Sequence, residues 1–107
     1  MIKVRFSVGN RQLKGFEISG HAMYAENGKD IVCASVSSAA LMAANTITDV
    51  IGADAVAEAN EGYMRVVLNH PDEQAQAVLR GLELHLTELS KQYPQNIKII
   101  YGGVKNA

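Results

Sequence analysis

Cys33 and His21 lie twelve positions apart and are the residues in this chain best suited to chemistry. Cys33 is the only cysteine, and it falls at the predicted start of a long helix. A thiol is a poor nucleophile and a thiolate a good one, with an ordinary pKa of about 8.5. The positive end of a helix and a nearby imidazole both favour the thiolate. His21 is placed to take the thiol proton and later give it to a leaving amine, as a general base and acid does. First-turn backbone amides would then face a developing oxyanion. The same residues have a plainer account. A lone cysteine beside Ile31, Val32 and Ala34 also fits a small buried hydrophobe, and a loop histidine is commonly a solvated one.

Asp30 and Ser37 flank the thiol. As an N-cap, the Asp30 carboxylate would accept from the backbone N–H of Val32 or Cys33. As the third member of a triad it would orient His21 instead. Ser37 follows Cys33 by four positions and shares its helix face. It would bond the thiolate or a bound peptide, or simply be a small residue at a tight contact. Gly20 and Gly28 bound the loop Gly20 to Lys29 and are expected to hinge it as a lid over the site. The other two histidines, His70 and His85, share no motif with Cys33. One cysteine and three histidines make no metal-ligand pattern, and no glycine loop of a phosphate-binding type is present, so no cofactor is expected.

The elements that must position these residues follow from periodicity. Ile2, Val4, Phe6 and Val8 alternate with polar residues as a half-buried strand does. After the turn signal Gly9-Asn10, a second strand carries Leu13, Phe16 and Ile18, whose parity changes around Gly15; this predicts a bulge or kink there. A helix is predicted from Ile31 to Ile51, stopping at Gly52. It is uncharged until Asp49 and rich in Ala and Ser, which suits a helix covered on more than one side. Ala53 to Ala59 reads as a weak strand, Asn60-Glu61-Gly62 as a turn and Tyr63 to Leu68 as a stronger strand. A second helix opens at Asn69-His70-Pro71-Asp72 with Pro71 near its first turn. It carries the stripe Ala75, Val78, Leu79, Leu82, Leu86, Leu89 and Tyr93, and Pro94 ends it. Ile97 to Tyr101 is the final strand, and Gly102-Gly103 leads into a frayed tail. The order ββαββαβ predicts an α+β fold, with one mixed sheet packed against two long helices.

Composition sets the limits. The chain has 107 residues, 48% of them hydrophobic and 20% charged, which fits one domain over 1–107 with a core of its own. One cysteine forms no internal disulfide, so no oxidising compartment is needed. No stretch is expected to reach the roughly 20 apolar residues of a membrane span. The N-terminus alternates like a strand and is unlike a signal peptide. These features predict a cytoplasmic protein with no membrane partner. A net charge of −1 without a basic run predicts no direct nucleic-acid binding.

Gly20-His21-Ala22, Gly28, Asp30-Ile31-Val32-Cys33-Ala34 and Val36-Ser37 together resemble the signature of the ribosomal-processing cysteine protease family Prp. Length and element order resemble that family over the whole chain; Ser35 departs from it, where alanine is more usual. The resemblance implies a bacterial endopeptidase that removes the N-terminal extension of a large-subunit ribosomal protein precursor. It implies His21 and Cys33 as the catalytic dyad, with Asp30 and Ser37 supporting. It also implies substrates with hydrophobic and aromatic residues before the cleaved bond, a mobile loop over the site, and a homodimer. Leu84, off the main stripe of the second helix, is one candidate for the dimer surface. Two other readings compete: a non-enzymatic ribosome-associated binding module with a structural Cys33, and a redox sensor whose resolving thiol would have to come from another molecule.

Overall fold

Alternation at the N-terminus produces a strand with one buried face: Ile2, Val4 and Phe6 are all 2% exposed or less, while Lys3 and Arg5 face solvent. The structure, a computed structural model, describes residues 1–26 and 30–103. Its elements run β1 (Ile2–Gly9), β2 (Gln12–Gly20), α1 (Ile31–Asn45), a π-helical segment (Thr46–Ile51), β3 (Ala55–Asn60), β4 (Tyr63–Leu68), α2 (Glu73–Gln92) and β5 (Ile97–Gly103). The five strands form one mixed sheet in the order β3-β4-β2-β1-β5. Only the β1–β5 pair among them is parallel. The fold is α+β with the predicted order of elements.

The hairpin between β1 and β2 turns through Asn10 and Arg11, both with positive φ (53° and 63°). That geometry matches the right-handed twist of the flanking strands. The predicted bulge is present. Ser7 pairs with Gly15 and Val8 with Leu13, so Lys14 is the extra residue and the inward set along β2 shifts from odd (Leu13) to even (Phe16, Ile18) positions. Gly15 is required beside it, since a Cβ there would run into the Val66 carbonyl oxygen of β4. The outer face of the sheet stays open. Across it Arg5, Glu17, Arg65 and Glu58 stand opposite one another in alternating sign, a pairing that suits a solvated face.

Both helices cover the inner face. Val32, Val36, Ala40, Ala43 and Ile47 from the first join Leu79, Leu82 and Leu86 from α2 in one core with Val4, Phe6, Phe16 and Val66. The first helix reaches Ile51 as expected, but its last six residues widen into a π-helix, with the Gly52 N–H bonded to Ile47 O. The Thr46 and Thr48 hydroxyls donate to the carbonyls of Met42 and Ala44, drawing on acceptors that an α-helix end would use. Gly52 then ends it at φ 71°. Taken together Ile31–Ile51 is 21 residues long and apolar enough, by length and composition, to cross a membrane, which corrects the expectation that no stretch approaches that size. Its buried side is committed to the sheet, as in the core helix of a globular domain.

Three boundaries move. Pro71 precedes the N-cap Asp72, whose side chain accepts from Ala75 N–H, so the proline lies outside the first turn. The weak strand is Ala55–Asn60, at the sheet edge. The final strand runs on to Gly103, because β1 still offers Ser7 and Val8 as partners for Gly102 and Gly103. At Gly102 the missing Cβ leaves room for the Arg5 guanidinium. Beyond Gly103 the predicted tail lies outside the described residues.

One side chain ties α2 to the bulged end of β2. Gln76 accepts from Leu13 N–H at 2.7 Å and donates to Leu13 O at 2.8 Å, as a neighbouring strand would. Gln76→Ala leaves both backbone groups without that partner and is expected to destabilise the fold by about 2 kcal/mol. Urea unfolding checks this; a loss of only a few tenths would show that water replaces the amide freely.

Candidate active site

The site begins where β2 ends. Gly20 pairs with Ile2 and donates its N–H to Gly62 O at 3.0 Å, with φ at +91°. A Cβ there would be strained and would meet the Met1 carbonyl oxygen. Gly20 therefore fixes the exit of the chain from the sheet, and a larger residue is expected to cost stability as well as turnover. Gly28, the other expected hinge, lies outside the described residues, as does Lys29. The chain leaves Gly20 with the His21 side chain exposed and resting over Gly62, where a Cβ would stand 3.1 Å from Nε2.

Ala22 is the anchor of this segment. Its side chain is 1% exposed. Its N–H donates to the Cys33 sulfur at 3.1 Å, and its carbonyl accepts from Asn96 Nδ2 at 2.8 Å. Met23 follows at φ 60° with its side chain 79% exposed. Tyr24 sets its ring against Tyr93 edge-on, with centroids 5.4 Å apart.

Asp30 then closes the loop onto the helix. Its Oδ1 accepts from the N–H groups of Val32 and Cys33, both at 3.0 Å. Its Oδ2 accepts from Tyr24 and Ala25, at 2.9 and 3.3 Å. Burial alone would raise this carboxyl; the N–H groups of Cys33, Tyr24, Ala25 and Val32 together hold it below the usual carboxylate range. Both oxygens are occupied by backbone donors, which favours the cap over the triad reading. The cap also has a consequence for the expected oxyanion donors. Val32 and Cys33 give their N–H groups to the Asp30 side chain and Ala34 gives its own to Asp30 O at 3.1 Å, so these three first-turn amides are already engaged.

Cys33 is half-buried on the first turn of α1. Two hollows meet beside it, and His21, Cys33 and Ser37 border both. One, of about 460 Å³, is walled by Met23, Asp30 and Glu61. The other, of about 330 Å³, is mostly apolar, with Ile18, Val36, Leu41 and Met64 in its wall. A chain crossing the ridge between them would pass the sulfur and the imidazole together. His70 is elsewhere, in a surface pair with Asp54 at 3.1 Å, and His85 lines a groove between the helices. Sequence reasoning missed the parts played by Ala22, Gly62 and Asn96. Ala22 stands inside the motif, and Gly62 was visible as a turn; nothing local marks Asn96, which is 74 positions from its partner.

A sulfur supplied with a backbone donor, beside an imidazole and at the crossing of two hollows, suits acyl transfer through a thiol, so the chain falls among the thiol-dependent hydrolases. The model of one family, described as cysteine protease Prp, matches residues 1–98. The chain belongs to that family and is a cysteine endopeptidase, not a binding module. It is 25% identical over 97 residues to the ribosomal processing cysteine protease Prp of Bacillus subtilis (strain 168), covering 84% of this chain and 87% of that protein. Among solved structures, it matches the essential ribosomal processing protease Prp from S. aureus in complex with a covalently linked product peptide. The TM-score is 0.88 at 24% identity, over 95% of this chain and 100% of that one. SMU.848 from Streptococcus mutans matches with a TM-score of 0.84 at 27% identity, over 97% of this chain and 96% of that one.

The Asp30 carboxylate gives a pH prediction. A carboxyl held low in the folded state contributes stability above its unfolded pKa and loses it as pH falls through the folded one. Asp30→Asn is expected to lower Tm at neutral pH, with the gap to wild type closing as pH falls below the ordinary carboxylate range. Thermal unfolding over a pH series measures it; a gap that stays constant into acid would mean the charge plays no part.

Proposed function

We propose that this protein removes the N-terminal extension of a large-subunit ribosomal protein precursor, with Cys33 as nucleophile and His21 as its acid–base partner. The observation that carries the reading is the Cys33 sulfur, which accepts the Ala22 N–H and shares both hollows with His21. In the first step the thiol proton passes to the imidazole and the sulfur attacks the scissile carbonyl carbon. The tetrahedral adduct collapses as the imidazolium protonates the leaving amine, leaving a thioester on Cys33. His21 then takes a proton from water, whose oxygen attacks the thioester. The sulfur leaves, and the acid product and free enzyme remain.

Other features support the substrate class. The relative from Bacillus subtilis is named as a ribosomal processing protease, and the one from S. aureus holds a covalently linked product peptide. The apolar hollow of Ile18, Val36, Leu41 and Met64 suits the hydrophobic or aromatic residues expected before the cleaved bond. Ser37, on the ridge, is assigned to hold the bound peptide. A nucleophile that must stay reduced fits the cytoplasm as the place of reaction.

Incubating the protein with the extended precursor and following products by mass spectrometry tests the assignment. Cys33→Ala is expected to abolish cleavage, and Cys33→Ser to keep the fold but lose most of the rate, since a hydroxyl is much harder to deprotonate. His21→Ala is expected to lower kcat by about a hundredfold or more. Cleavage by Cys33→Ala at the parent rate would sink the dyad.

We also assign a second copy of the chain as partner. A groove of about 920 Å³ runs between the helices, walled by Ile31, Ala39 and Met42 on one side and Val78, Gly81 and Leu82 on the other. Ile31 is 56% and Met42 63% exposed, and Leu84 on the same layer is 64% exposed. Covering such a surface is a common reason for pairing. Met42→Glu is expected to convert the dimer to monomer in sedimentation equilibrium. A monomeric parent, or a variant that still pairs, would remove this groove as the interface.

A further inference from the structure

The thiol has a supporting residue far from it in sequence. Asn96 sits in the turn between α2 and β5, and its backbone is held on both sides. Its N–H donates to Tyr93 O at 3.0 Å, and its carbonyl accepts from Ile2 N–H at 2.8 Å. Its side chain is thus presented from a fixed frame, and Nδ2 donates to Ala22 O at 2.8 Å. Ala22 is buried and turns its other backbone group, the N–H, to the Cys33 sulfur at 3.1 Å. The two hydrogen bonds lie on either side of one α-carbon, so shifting the carbonyl shifts the N–H. His21 is the residue immediately before it and moves with the same segment.

We propose that Asn96 is a positioning residue for the thiol: by holding the Ala22 carbonyl it keeps the Ala22 N–H on the Cys33 sulfur and His21 at the cleft. This role rests on Cys33 being the nucleophile. An N–H donor favours the thiolate over the thiol, because the charged sulfur is the stronger acceptor. Two other titratable side chains, His21 and Asp30, line the same hollow, together with Glu61 from the β3–β4 turn. A change at Asn96 replaces none of these side chains, and Asp30 and Glu61 stand on other segments, so the variants act through the Ala22 segment, that is, through its N–H and the His21 it carries. The same turn grips the loop at a second point, where Tyr93 meets Tyr24, and that contact touches neither the Ala22 carbonyl nor the sulfur. It supplies the control.

Iodoacetamide alkylation of Cys33 as a function of pH reads the role without any substrate. Asn96→Ala removes the donor, and Asn96→Asp keeps the shape but sets a carboxylate against a carbonyl. Both are expected to move the alkylation midpoint upward by roughly half a pH unit or more. On the precursor peptide they are expected to lower kcat about threefold or more with KM little changed. Tyr93→Leu, matched for loss of Tm, is expected to leave the midpoint in place. Folded Asn96 variants with the parent midpoint, or an equal shift in Tyr93→Leu, would overturn the role. If neither Asn96 variant folds, NMR of the parent decides. The Ala22 N–H and the Asn96 side-chain amide should titrate with the midpoint of alkylation, and an Asn96 signal that does not move overturns the coupling. A parent thiol alkylated no faster at neutral pH than free cysteine, with Cys33→Ala still cleaving, removes the nucleophile itself; a reactive parent with silent Asn96 variants removes only the role of Asn96.

Discussion

The carboxylate of Asp30 is the constraint on which the site depends. A buried charge is costly unless its hydrogen-bonding capacity is filled. Four backbone N–H groups fill it here, two from the first turn of α1 and two from the loop that follows His21. The carboxylate thus joins the piece of chain carrying the imidazole to the piece carrying the sulfur. Either hydrogen-bonded pair alone would leave two acceptor positions of the carboxylate open in a buried place. The loop conformation and the helix start are therefore mutually dependent: the turn at Tyr24 and Ala25 forms against a helix end that is itself capped by the same group.

The sheet sets the other half of the geometry. Antiparallel pairing of β1 and β2 brings Gly20 opposite Ile2, and the N–H of Gly20 reaches Gly62 in the β3–β4 turn. His21 leaves the sheet at that point with Gly62 beneath its ring. The bulge at Lys14 contributes at the opposite end of the same strand. It allows Leu13 as well as Phe16 and Ile18 to face the helices, so β2 is held by core contacts along its length. Rigid backbone thus underlies the imidazole, while Met23 and Ala25 line the hollow beside the sulfur. The placement of the sulfur is set by strand and helix.

Much of this was legible in the sequence, for physical reasons that differ between elements. Period-two alternation at Ile2 to Phe6 and period-3.6 spacing from Ala75 to Leu86 report burial directly, so the element order could be read. The lost parity around Gly15 reported the bulge. The cap at Asp30, the thiol at Cys33 and the imidazole at His21 fall within thirteen consecutive residues, a span where chain connectivity already limits geometry. The π-helical end of the first helix was hidden because Thr46 and Thr48 are tolerated in ordinary helices, and only their hydroxyl partners mark the widening. The strand status of Gly102 and Gly103 was hidden because it rests on pairing with Ser7 and Val8 of β1, and at Gly102 on the neighbouring Arg5, none of which sequence places beside them. Asn96 and Gln76 were hidden for the same reason: each side-chain amide satisfies a backbone group more than sixty positions away.

For the proposed reaction, the cap gives the Ala22 N–H a more direct part than the helix end. The first-turn donors of Val32, Cys33 and Ala34 are spent on Asp30, so they act on the sulfur only through the field of the helix. The Ala22 N–H acts on it directly and carries no titrating proton. An imidazolium stabilises a thiolate only while it holds the proton, which it gives to the leaving amine and takes again from water. During deacylation the sulfur must again accept negative charge as the thioester breaks, and a fixed dipole is in place at that moment without reorganisation. A site that relied on His21 alone would have to time that support to proton transfer. In the proposed reaction the Ala22 amide, held by Asn96 from behind, separates two tasks: the imidazole moves protons, and the backbone supports the sulfur as leaving group as well as nucleophile.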